Sequence, residues 1–121
     1  MIQGEFNSRG ELFFEVGLLS ADGEIILVMA LLDTGFTGWL AIDSQDADSL
    51  GWVCDNEPQD MQTAQGEARF NLYEGTVVIE GEEFTVEVLG GNELVNVLLG
   101  VLWLRTKRLV VDFPRGVLTL G

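Results

Sequence analysis

The sequence predicts a mainly β protein with one or two short helices, and three observations carry that expectation. Turn signals recur at short intervals, strand-length apolar runs lie between them, and only two short segments read as helical. The turns are Asn7-Ser8-Arg9-Gly10, Ala21-Asp22-Gly23, Gln65-Gly66, Glu74-Gly75, Gly81-Glu82, Gly90-Gly91-Asn92 and Pro114-Arg115-Gly116. With 121 residues, 47% of them apolar, residues 1–121 are expected to form one domain with one core.

Taken in order, Glu11 to Leu19 and Glu24 to Leu32 flank Ala21-Asp22-Gly23 and read as a hairpin. Asp43 or Ser44 is placed to cap a helix over Gln45 to Leu50, with Gly51 ending it in the left-handed conformation. A second hairpin has Gln65-Gly66 near its tip. Val77-Val78-Ile79, Phe84 to Val88 and Leu109-Val110-Val111 are β-branched or alternating, as buried strands are. Val101 to Arg105 makes a short helical turn after Gly100, and Arg105, Lys107 and Arg108 read as its cationic end. The terminal segments, Ile2 to Phe6 and Val117 to Leu120, are expected to pair in a sheet between subunits, since free edges invite uncontrolled pairing.

Composition removes whole classes of chemistry. The chain has no histidine, which excludes Ser-His-Asp and Cys-His nucleophilic sites and zinc sites that use histidine. Cys54 is the single cysteine, so neither a four-cysteine zinc site nor an internal disulfide forms. Six basic against twenty acidic side chains give a net charge of −14, which repels nucleic acid and acidic membrane surfaces. No basic start followed by an apolar run is present and no stretch has the roughly 18 apolar residues of a membrane span. A cytoplasmic protein is expected, with catalysis resting on carboxylates, Lys, Tyr, hydroxyls or the lone thiol.

Asp33 is the carboxylate that the pattern singles out. Leu31-Leu32-Asp33-Thr34-Gly35 delivers it from a buried apolar strand into a tight turn, where Gly35 brings a backbone N–H near it and the Thr34 hydroxyl is available to lock the loop. A faint internal repeat supports the site: Val97-Leu98-Leu99-Gly100 also places apolar residues before a glycine, and a short helix follows each copy. Its period of about 65 residues suits two similar half-structures rather than a solenoid. Asp43, Asp46 and Asp48 lack the glycine and terminal Glu of a calcium loop and read as a solvated helix start. Tyr73, Trp39, Trp52 and Trp103 receive no site role, the tryptophans being expected in the core.

On Leu31-Leu32-Asp33-Thr34-Gly35 and Leu98-Leu99-Gly100 the sequence resembles the aspartic proteases, and within them the retropepsin-like half-size members, over nearly the whole chain. Small prokaryotic members are the nearer comparison, some of them having an aromatic residue after Asp-Thr-Gly. The resemblance implies a retropepsin-like acid protease barrel in which Asp33 is catalytic and the Thr34 residues of two copies grip each other. It implies that the Gln65-Gly66 hairpin is a flap over the substrate, and that Leu98, Leu99 and Gly100 are a structural loop element. It further implies a homodimeric aspartic peptidase acting on a peptide or unfolded protein, with no metal or organic cofactor. Two departures stand out: Phe36 follows Gly35 where retroviral enzymes have Ala, and Thr37 and Val101 offer no charged pair, so the dimer contact differs. The alternative is a non-catalytic peptide-binding or assembly module in which Phe36 fills the cleft. A weaker third reading is an unrelated acidic β-barrel in which Asp33 is a turn residue.

Overall fold

The computed structural model describes residues 1–63 and 66–121. The chain runs β1 (Ile2–Gln3), β2 (Glu5–Phe6), β3 (Leu12–Leu19), β4 (Ile25–Leu32), β5 (Leu40–Asp43), α1 (Ser44–Ser49), β6 (Val53–Thr63), β7 (Gly66–Ile79), β8 (Glu82–Gly91) and β9 (Val97–Leu99). A 3-10 helix (Val101–Arg105), β10 (Leu109–Asp112) and β11 (Val117–Leu120) complete it. Six strands close into a barrel in the order β3-β4-β9-β5-β8-β7, with β7 pairing back onto β3 through Gly17↔Val78, Leu18↔Val77 and Leu19↔Thr76. β2 extends the sheet from β3, and β6 extends it from β7. Among the described residues no helix is long and apolar enough to cross a membrane.

The period of two along each strand sorts side chains to the two sides of the barrel wall. In β3, Phe14, Val16 and Leu18 face the core, as do Ala30 and Leu32 in β4, Leu40 and Ile42 in β5, and Val77 and Ile79 in β7. Trp103, fully buried, anchors this core from the 3-10 helix. Its ring meets Trp39 and Phe84 edge-on, at centroid distances of 4.9 and 5.2 Å, and its indole N–H donates to the Trp39 carbonyl at 2.8 Å. Trp52 is likewise buried, with its indole N–H donating to the Leu19 carbonyl at 2.8 Å. Both indoles thus retain a partner for the one polar group they bury.

Local signals set the helix ends as expected. The Asp43 carboxylate accepts the Gln45 N–H at 3.2 Å, and Gly51, at φ +74°, takes the left-handed position after Leu50. Two glycine signals mislead. Gly75 and Gly90 lie inside β7 and β8 instead of in turns, because each clears space for a ring. A Cβ at Gly75 would sit 2.6 Å from the Trp52 ring, and one at Gly90 would sit 2.5 Å from the Tyr73 ring. A glycine in a strand often marks such an approach rather than a turn.

The expectation for the chain ends needs correction. β11 pairs with β1 on one side (Ile2↔Leu120, Gln3↔Thr119) and with β10 on the other (Leu109↔Leu120 to Asp112↔Val117), all within one chain. Antiparallel ladders already satisfy both edges of β11, so it has none left for a partner. The outer edges of this three-stranded sheet are β1 and β10.

Tyr73 proves to be a buried structural residue. Its hydroxyl donates to the Asp48 carboxylate of α1 at 3.0 Å, tying β7 to the helix. Burial first, and the Asp48 carboxylate second, push the Tyr73 hydroxyl up to about 12. A folded value above the ordinary one means that the folded state holds the proton longer. The stabilisation is therefore whole below about pH 10 and is lost as pH rises toward about 12. Tyr73→Phe is expected to cost about 1 kcal/mol at neutral pH and to flatten the alkaline loss of stability. Urea unfolding of both proteins from about pH 8 to about pH 11 measures this; parallel losses in parent and variant would contradict it.

Candidate active site

The site grows out of one arrangement of three strands. β9 lies between β4, to which it is parallel (Ala30↔Val97, Leu31↔Leu98, Leu32↔Leu99), and β5, to which it is antiparallel (Leu40↔Leu99, Ala41↔Leu98). The connection from β4 to β5, residues 33–39, must therefore pass over the end of β9. This forces the Asp33 loop and the glycine corner at Gly100 into contact, although they are far apart in sequence.

Backbone hydrogen bonds fix that contact. The Asp33 N–H donates to the Leu99 carbonyl at 2.9 Å, so the catalytic candidate is anchored on the middle strand. In return, Gly100 N–H donates to Trp39 O at 3.0 Å, Val101 N–H to Phe36 O at 2.9 Å and Leu102 N–H to Gly38 O at 3.3 Å. The carbonyls of the loop are thus held by the start of the 3-10 helix. Approach is closest at Gly100, where a Cβ would lie 1.9 Å from the Gly38 carbonyl oxygen. Only glycine fits such a gap.

Within the loop, Gly35 N–H donates to Asp33 Oδ1 at 2.9 Å, and Phe36 N–H donates to the Asp33 carbonyl at 3.1 Å. The first bond orients the carboxylate and the second closes the turn beneath it. Asp33 is half-buried, while Thr34 and Gly35 are exposed at the tip. No other carboxylate occurs in the two segments that meet here, residues 33–39 and 97–103. Water activation on carboxylates needs one ionised group and one protonated group.

Asp33 is bonded to Leu99, Leu98 pairs with Leu31 beside it, the Gly100 N–H holds Trp39 at the far end of the same loop, and Thr34 and Gly35 lie at the exposed tip. The flap region is divided: Gln65 lies outside the described residues, and Gly66 opens β7, paired with Thr63 of β6. Gly38 and Trp39 carry loop carbonyls that hold the Gly100 corner, a role missed in sequence. The available signal was a second glycine, three residues after Gly35 and two after a bulky ring. Phe36 turns its ring over Gly38 and Gly100, where added Cβ atoms would come within 2.5 and 2.9 Å of ring carbons. It packs on a second apolar cluster that includes Ala41, Leu72, Leu89 and Leu98.

No family model matches the sequence, and no curated protein matches it. Among solved structures, the crystal structure of a retropepsin-like aspartic protease from Rickettsia conorii superposes with a TM-score of 0.63 at 25% identity, covering 99% of this chain and 88% of that one. The closed barrel, the loop carried over the end of β9 and this match place the chain, by fold, with the retropepsin-like aspartic proteases.

Proposed function

We propose that the protein is an aspartic peptidase that works as a homodimer, each chain contributing Asp33 to one carboxylate pair. A single observation supports this most strongly: Asp33 is oriented by Gly35 N–H at the end of a core strand, in a loop pair that holds no second carboxylate. A twofold axis beside Asp33 supplies the missing group, because a symmetric interface brings the same residue from both copies. Two carboxylates about 3 Å apart share one proton, an arrangement for which aspartic proteases are the general example. The ionised Asp33 takes a proton from a water held between the two. That water attacks the peptide carbonyl, and the protonated Asp33 donates to the developing oxyanion.

The other site residues have supporting roles in this reading. Gly35 orients the carboxylate, Thr34 at the exposed tip meets its counterpart across the axis, and Leu98, Leu99 and Gly100 hold the loop from below. The β6–β7 hairpin, to which the sequence pattern assigns the flap candidates Gln65 and Gly66, covers an extended peptide or unfolded segment, which pairs with strand edges as such ligands do. Hydrolysis by two carboxylates and water calls for neither a metal nor an organic cofactor. Residues 1–121 act as one domain, and a partner's strand reaches the terminal sheet through β1 or β10.

Association is expected to strengthen as pH falls from about 7 toward about 5, where clustered carboxylates begin to take up protons. Each chain carries −14, so pairing doubles the charge in one particle, and acid or salt weakens the repulsion. A shared proton adds a contribution of the same sign, because the dimer binds a proton that separated chains release. Salt replaces acid for the first contribution and hardly for the second. Dimer dissociation constants at both pH values, each at low and high salt, for the parent and Asp33→Asn, separate the two. Equal constants throughout, or a strict monomer at tens of micromolar by sedimentation, would rule out this reading.

A further inference from the structure

We infer that the ring of Phe36 narrows the apolar wall on the Asp33 side of the barrel and so selects a small substrate residue, Gly, Ala or Ser, next to the cleaved bond. The inference rests on the peptidase reading above and names the substrate class of that site. Phe36 is pinned in the Asp33 loop through both backbone groups. Its N–H donates to Asp33 O at 3.1 Å, and its carbonyl accepts from Val101 N at 2.9 Å.

Strand alternation gives the side on which the ring lies. Leu32, Leu40 and Leu99 face the barrel core, so their strand neighbours Leu31, Ala41 and Leu98 belong to the opposite side of the wall, and Asp33, just past the end of β4, follows Leu31 in that alternation as its N–H carries the ladder on to the Leu99 carbonyl. Ala41 and Leu98 are members of the second apolar cluster, and Phe36 packs against it. The cluster is thus separate from the barrel core and lies on the side to which Asp33 is directed. An extended peptide whose carbonyl rests on Asp33 sends its adjacent side chains alternately to the two sides, and this apolar wall is what one of them meets.

The ring already occupies that wall. It sits in the space that side chains at Gly38 and Gly100 would take, with would-be Cβ atoms 2.5 and 2.9 Å from its carbons. Two glycines therefore form its seat, and Phe36 remains partly exposed there. A large substrate side chain would have to lift the ring out of the seat and off the cluster, exposing apolar surface. A methyl or hydroxymethyl group leaves the ring where it is.

The test uses peptides identical except for Ala or Leu at the two residues flanking the cleaved bond, together with their uncleavable reduced-amide analogues. Parent, Phe36→Leu and Phe36→Ala are compared by kcat/KM and by dissociation constant. The parent is expected to favour the Ala peptide by about tenfold or more, the scale on which apolar pockets discriminate. Phe36→Ala is expected to improve the Leu peptide relative to Ala by a similar factor, with Phe36→Leu between. Phe36→Leu keeps most of the cluster filled, and the parent's own preference is decisive even where Phe36→Ala folds poorly. A parent that takes Leu as readily as Ala, or a preference unchanged in both variants, would overturn the inference alone. If no peptide is cleaved and no analogue bound, the inference falls together with the peptidase reading.

Discussion

Asp33→Asn is expected to lower peptidase activity by about 10²- to 10⁴-fold or more while leaving the fold intact, since that range is what one positioned acid or base contributes. The fold should survive because the amide oxygen of Asn still accepts the Gly35 N–H that Asp33 Oδ1 accepts at 2.9 Å. The backbone bond from residue 33 to the Leu99 carbonyl is untouched by the change. What the amide lacks is the ability to hold or release the shared proton. Initial rates on a denatured protein substrate, with thermal melts of both proteins, are the measurement. A variant that cleaves as fast as the parent would place the activity elsewhere.

Gly100→Ala is expected to be the most damaging single methyl group, costing about 3 kcal/mol or more. Its Cβ would stand 1.9 Å from the Gly38 oxygen and 2.5 Å from the Gly38 carbonyl carbon, and both atoms belong to backbone. Backbone held by hydrogen bonds from Gly100, Val101 and Leu102 has little freedom to retreat. Gly81→Ala is the control, because its Cβ meets nothing within 4 Å and only its φ of +75° opposes a side chain. That strain alone is worth about 1 kcal/mol. Urea unfolding of both variants at neutral pH distinguishes contact from conformation. Equal losses would show that the Gly38–Gly100 contact is looser than described.

Much of this site was legible because its signals are local. An apolar strand running into Asp33-Thr34-Gly35, and a matching run into Gly100, already indicated two loops built alike. The structure gives the reason for the likeness, since β4 and β9 lie side by side in parallel. The helix caps at Asp43 and Gly51 were legible for the same reason, each depending on residues a few positions away. Legibility ended where a distant ring decided the matter. Gly75 and Gly90 are turn residues by any local rule, and only the rings of Trp52 and Tyr73 make them strand residues. Phe36 follows Gly35 in sequence, but only the space left at Gly38 and Gly100 shows where its ring is seated. The terminal strands fared similarly: β11 looked like a free edge, and its pairing with both β1 and β10 is a long-range fact that its own residues do not announce.

The central claim is that two copies of Asp33 make one site, and the stoichiometry of a carboxylate-directed inhibitor tests it most directly. A statine-type peptide presents a hydroxyl where the attacking water would stand, so a formed carboxylate pair binds it and a single carboxylate does not. Calorimetric titration at about pH 5, where association is favoured, should give one inhibitor per two chains, and the heat should vanish for Asp33→Asn. One inhibitor per chain, or equal binding by Asp33→Asn, would contradict a shared Asp33 pair.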